Sequence, residues 1–304
     1  MKLIKVFSLI PLLLFLCSCS STGRLDVGRL TSLYERGKRF VGAVEGLTPE
    51  QEYYLGRGVA ANILQKYPAY GSPKSRLNRY LNQVGQSLVA YSDLPYTYNG
   101  YHFMVVRSDE INAFATPGGF IFVTTGLLRE IPDEDALAAV LAHEIAHVVL
   151  EHGVSAVETS IITDVVTTTG LEVAEQQSGD TTRMILSNTK NFGIAIDDIA
   201  QTLLVNGYSR SQEYSADEYA ANLLARAGYN PSGLTVMLKS IEKVEIAHRA
   251  AGKSAAGFMS THPSASNRLD EVEDISVVSD AGPGDDTGQA ARRNRFQSSV
   301  GNLG

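Results

Sequence analysis

The sequence predicts an α+β fold, mainly helical, with a small antiparallel sheet beside one long buried helix. Three observations predict it. Residues 101–125 hold the short β-rich runs YHFMVVRS, INAFAT and GFIFVTT, separated by turn residues. Residues 133–152 are apolar on every side, the pattern of a helix inside a core. Segments before and after carry apolar residues at helical spacing.

Taken in order, the chain opens with Lys2 and Lys5 ahead of the apolar stretch Val6 to Leu16. That stretch is too short to span a bilayer comfortably and reads as a signal peptide over residues 1–19. Leu16-Cys17-Ser18-Cys19 resembles a bacterial lipobox, which selects Cys19 for lipidation; the bulky Leu16 suits Cys17 poorly. Ser20 resembles the outer-membrane sorting pattern of enteric bacteria. The expected location is therefore the bacterial cell envelope, facing the periplasm from a membrane anchor at Cys19. Residues 20–48 form a weakly patterned N-terminal segment. Amphipathic helices are expected at 49–67 and 74–92, followed by the three strands as an antiparallel meander.

The helix at 133–152 follows. Asp133, Glu134 and Asp135 suit its positive N-terminus, and Gly153 suits its end. Residues 154–207 are expected to hold two helices, with Gln176 to Thr182 as the loop between them. A helix at 211–227 stops at Gly228, and Asn230-Pro231 caps the next. Gly, Ser and Asp dominate residues 276–304, which predicts a flexible tail. The expected division is thus a leader, a linker, a catalytic domain over 49–275 and a tail.

Composition narrows the chemistry. The chain has 304 residues and a net charge of −7, with no dense Lys/Arg run, which argues against a nucleic-acid partner. Both cysteines lie in the first twenty residues, so the remainder has neither a disulfide nor a thiolate metal site. Any metal must be bound by His, Asp or Glu.

His143-Glu144-Ile145-Ala146-His147 is an H-E-x-x-H motif. Four helical residues turn by about 400°, so both imidazoles leave the helix on nearly one face. That spacing lets two nitrogens meet one zinc ion. Glu144, offset around the helix, is placed to take a proton from a water that the zinc acidifies. Apolar neighbours Leu137, Val140, Leu141, Ile145, Val148 and Leu150 are expected to bury the motif, and buried polar groups need partners.

A catalytic zinc needs a third protein ligand and an open position. His152 lies five residues past His147, rotated by roughly 140°, and is expected to face elsewhere as a helix C-terminal residue. Gly153 stands where an extended H-E-x-x-H-x-x-G-x-x-H motif needs its last His, which excludes that class. Glu213 and Asp217 share a helical face with Ala216, Ala220 and Leu224. Two carboxylates on a core-facing stripe need a cation or a donor. Glu213 suits the metal, and Asp217 suits the second nitrogen of a ligand histidine.

Four passages then resemble the M48 peptidases, the group that includes HtpX-like and Ste24-like membrane proteases and soluble periplasmic relatives. They are Asn112 to Gly119 with the strand after it, His143 to His147, Ser209 to Asp217, and Thr261-His262-Pro263 through Arg268. The resemblance implies a zincin-like domain, one zinc per chain on His143, His147 and Glu213, and Glu144 as base. It is nearest to small lipid-anchored members, which implies a role in envelope protein quality control.

The resemblance also places His262 near the zinc. Pro263 restricts His262 to an extended conformation, so its imidazole is held in a loop. His262 can act as a latching ligand in the open position or as a donor to the developing oxyanion. The alternative is structural, with His262 and Arg268 pinning the loop to nearby carboxylates. The strand containing Gly119, Phe120, Ile121 and Phe122 is expected to serve as an edge for extended, unfolded or misfolded protein substrates. Two rival functions are a chaperone-like or binding lipoprotein with a metal kept for structure, and a non-peptidase zinc hydrolase. The intact Glu144 argues against the first, since a purely structural site needs no base.

Overall fold

A computed structural model describes residues 48–155, 196–197, 199–252, 261–262, 265–279, 286–301 and 303. The leader, Cys19, the segment before residue 48, and the helices and loop expected between 156 and 195 lie outside the described residues.

Helix α1 spans Pro49–Lys66 and starts with a capping box between Thr48 and Gln51. Helix α2 spans Arg76–Val89, capped by the Ser75 hydroxyl. Strands β1 (His102–Val106), β2 (Ala113–Thr116) and β3 (Phe120–Thr124) form one sheet in the order β1-β3-β2. The sheet is mixed and is not the antiparallel meander expected. β1 runs parallel to β3, and only β2 is antiparallel to it.

The loop between β1 and β2 explains the difference. It crosses the C-terminal end of β3, where the Thr125 hydroxyl donates to the Ser108 carbonyl (2.8 Å) and the Thr124 hydroxyl to that of Glu110 (2.7 Å). Gly126 lets the loop close, because a side chain there would collide with the Asp109 and Glu110 carbonyls. β2 and β3 then form a tight hairpin through Pro117–Gly119, with Gly118 at φ 72°, in the left-handed region.

This order corrects the assignment of a substrate edge to Gly119–Phe122. β3 is central and pairs on both sides, so no peptide can add to it. The outer side of β1 is also engaged. Amides from one face of α2 pair with its backbone: Val105 N–H donates to Asn78 Oδ1 (2.8 Å), and Asn82 Nδ2 donates to the Phe103 carbonyl (2.8 Å). β2 is the strand that pairs with a neighbour on one side only among the described residues.

Alternating side chains divide the sheet between two cores. Phe103, Val105, Ala113, Ala115, Ile121 and Val123 face the larger one, while Val106, Phe114 and Phe122 face the smaller one with α1. The larger core is built on α4 (Glu134–Val149), which follows the short helix α3 (Thr125–Glu130). Asp133 caps α4 through the Ala136 N–H (3.0 Å), and residues Glu134 to Val148 are all buried. Helices α5 (Arg210–Arg226), α6 (Gly233–Ala250) and α7 (Ala265–Glu273) complete the wall around it. None of the described helices is long and apolar enough to cross a membrane.

The expected flexible tail is corrected over Asp286–Val300, which form helix α8. Phe296 and Val300 are buried in the larger core. Arg295 grips Glu134 (2.6 and 3.1 Å) and Arg292 meets Asp135 (2.9 Å), so both acidic residues opening α4 are matched. The Gly/Asp-rich stretch before α8 hid this helix, because composition averaged over the whole tail masks the fifteen residues from Asp286 to Val300.

Candidate metal centre

α4 carries His143, Glu144 and His147 into the core, each at most 2% exposed. α5 brings Glu213 and Asp217 to face them, and its Ser209–Gln212 capping box fixes where that helix starts. The segment at 261–262 adds His262, held in part by the Tyr208 N–H donating to the Thr261 carbonyl (3.0 Å). α7 adds Arg268, which is 1% exposed.

One donor atom from each of His143, His147, Glu213 and His262 lies within 4.8 Å of the other three. The individual separations are informative. The two Nε2 atoms of His143 and His147 are 3.1 Å apart. Glu213 oxygens lie 3.6 Å from each of them. His262 Nδ1 lies 3.4 Å from His143 Nε2 and 3.0 Å from Glu213 Oε1. Tetrahedral zinc with ligand bonds near 2.1 Å has ligand–ligand edges of about 3.4 Å. The donor set is therefore compact enough to hold one zinc ion, with His262 Nδ1 available as a fourth donor.

The surroundings favour a cation. Burial opposes charge on Glu213, yet His262 and Arg268 hold its carboxyl well below the usual range. Burial and Arg268 both disfavour a proton on His143, but Asp217 and Glu213 outweigh them and raise it to about 9. Glu144 is different. It is fully buried, neither carboxylate oxygen has a hydrogen-bond partner, and burial raises its pKa. An unpaired carboxylate in the core is costly unless a ligand or water completes it. His262 Nε2 lies 3.6 Å from Glu144 Oε1.

Behind the ligands, Asp217 accepts from His143 Nδ1 at 2.9 Å. Arg268 grips Asp217 with two bonds of 2.7 and 2.6 Å and reaches Glu213 Oε2 at 2.8 Å. One guanidinium thus orients a ligand and the partner of a second ligand. The sequence reading placed Asp217 and Arg268 beside the ligands, and the structure brings both there. It also brings in two residues that the reading missed. His152 Nδ1 lies 2.8 Å from His147 Nδ1, and the Tyr208 ring stacks on the His147 ring at 3.9 Å.

The expectation that His152 faces away is corrected. α4 stops at Val149, before Gly153, and Glu151 adopts a left-handed conformation (φ 55°). That turn reverses the chain and returns His152 to His147. Tyr208 carried no sequence signal beyond an aromatic residue just before the α5 cap.

Comparison with known proteins agrees with this geometry. The chain is 31% identical over 196 residues to the mitochondrial metalloendopeptidase OMA1 of Schizosaccharomyces pombe, covering 64% of this chain and 52% of that protein. It is 27% identical over 227 residues to the beta-barrel assembly-enhancing protease of Escherichia coli, covering 72% and 42%. It is 27% identical over 207 residues to the metalloprotease LoiP of the same organism, covering 68% and 72%. The chain spans about half the length of the first two. The family model of peptidase family M48 matches residues 75–276, a span that contains the whole donor set, and on that match the chain belongs to peptidase family M48.

Proposed function

We propose that this protein is a zinc-dependent endopeptidase of the bacterial cell envelope, acting on unfolded or misfolded proteins. The observation that carries the reading is a cluster of four buried metal-ligating side chains beside a buried carboxylate without a hydrogen-bond partner. His143, His147 and Glu213 hold the metal. When bound, zinc acidifies water and polarises a peptide carbonyl. Glu144 takes the proton from the attacking water and passes it to the leaving amine. Burial raises its pKa, which makes it a stronger base for the first of these duties.

His262 acts as a latch. Its Nδ1 lies among the other donor atoms and its Nε2 lies 3.6 Å from Glu144, so one ring would occupy a metal position and cover the base. Substrate entry requires that ring to leave. An extended substrate pairs with β2, which packs against α4 and follows Asn112, the acceptor of the Thr261 hydroxyl at 3.3 Å. Backbone pairing of that kind demands little of the substrate sequence, which suits misfolded clients. Cys19 anchors the protein in the outer membrane, facing the periplasm, and the lipobox-like residues support that placement. The names of the bacterial relatives support a role in envelope protein quality control.

A second reading has one observation in its favour. Four protein donors close a site, and closed sites are structural. On that reading the protein is a metal-containing binding lipoprotein with little proteolytic activity. Purified protein lacking residues 1–19 should contain about one zinc per chain and cleave casein in a chelator-sensitive way. His262→Ala should raise basal cleavage at unchanged zinc content. Inactivity of both proteins at full zinc occupancy would favour the binding reading.

A further inference from the structure

We propose that His152 is the positioning residue for His147, acting through a hydrogen-bond chain that runs in one direction and ends on the backbone of α5. The inference rests on the metal-centre reading and extends it to a residue outside the motif.

The chain of donors follows from the ring positions. His147 Nε2 faces the other donor atoms, 3.1 Å from His143 Nε2 and 3.6 Å from Glu213 Oε1. A ligating nitrogen carries no proton, so the proton of His147 sits on Nδ1. That Nδ1–H meets His152 Nδ1 at 2.8 Å, which must then accept. The proton of neutral His152 is left on Nε2, which faces the Ser215 oxygen at 3.4 Å. Ser215 accepts there and donates its own proton to the Gln212 carbonyl at 2.9 Å. Every link has one donor and one acceptor, and reversing either link made by His152 would put a proton on the metal-facing nitrogen of His147.

Two further features belong to this arrangement. Glu151 is the one non-glycine residue with positive φ among the described residues. Such a conformation is strained for a residue with a side chain and persists where surrounding contacts enforce it. Here it is what returns His152 to His147. On the other side, the Tyr208 ring lies nearly parallel to that of His147, 13° from coplanar, and blocks rotation out of the chain.

The test separates positioning from packing. His152→Phe keeps a ring but loses the acceptor, and His152→Asn keeps an acceptor near the same place. Zinc affinity, measured with the metal alone against a competing chelator, should fall about 10–100-fold in His152→Phe, as for other partners of ligand histidines. His152→Asn should recover most of that loss, and Ser215→Ala should show a smaller one. Glu151→Gly keeps the turn and should bind zinc like the wild type, whereas Glu151→Val opposes the turn and should behave like His152→Phe. Wild-type affinity in His152→Phe, or equal losses in the folded Phe and Asn variants, would overturn the proposal. Should the Phe variant fail to fold, nitrogen NMR of the zinc-loaded wild type decides: His152 must carry its proton on Nε2, and a proton on Nδ1 refutes the chain. His143→Ala serves as the parallel control, since zinc retention there would sink the metal-centre reading itself.

Discussion

His143 and His147 stand one helical turn apart, yet their outer nitrogens meet opposite kinds of partner. His143 donates to Asp217, whose charge is fixed by Arg268. His147 meets a neutral ring, His152, with a serine behind it. The difference shows how the pocket balances charge. Glu213 and Asp217 already place two carboxylates in the core against one guanidinium. A third carboxylate behind His147 would add another buried charge close to Glu144, where burial already disfavours ionisation. A neutral relay orients the ligand without that cost.

The largest effects should come from the ligands that the two sides share. His143→Ala, His147→Ala and Glu213→Ala should each abolish stoichiometric zinc binding. Full occupancy in Glu213→Ala would break the assignment of the third ligand and leave His262 as its replacement. Next comes the charged side. Arg268→Met leaves Asp217 and Glu213 buried without their cation and should destabilise the zinc-free protein by about 3–5 kcal/mol. Urea unfolding of zinc-free wild type and variant measures this, and an unchanged midpoint would mean that water or His262 replaces the guanidinium.

A smaller pair of effects sharpens the comparison. Asp217→Asn keeps shape but removes charge, and zinc affinity should fall about 10–100-fold. Ser215→Ala, at the far end of the neutral side, should lose less. A larger loss in Ser215→Ala than in Asp217→Asn would reverse the ranking of the two sides.

The charged side was legible in the sequence and the neutral side was not, for a geometric reason. Glu213 and Asp217 are four residues apart on a stripe with Ala216 and Ala220, so helical periodicity alone places both carboxylates inward. Arg268 came with the family resemblance. His152 lies past the helix end, and extrapolating helical rotation sent it the wrong way because Glu151 turns left-handed. Nothing in a glutamate announces that conformation, which glycine and asparagine favour.

The sheet divides in the same manner. Its three strands were legible from β-rich runs and turn residues, but their order was not. The crossing loop is held by hydroxyls of Thr124 and Thr125 and by a bare Gly126, contacts between residues about 14 to 17 apart in the chain. Local pattern carries no record of such pairings. The site was more legible than the fold around it because its chemistry is concentrated in two helices with fixed spacing.

On the proposed function, this pocket separates metal binding, assigned to His143, His147 and Glu213, from proton transfer, assigned to Glu144. Glu144→Gln tests it most directly, because the change preserves size while removing the base. Zinc content and casein cleavage should be measured on the same preparation. The account predicts about one zinc per chain, as in wild type, and cleavage reduced to background. Cleavage at the wild-type rate with zinc retained would contradict the role given to Glu144.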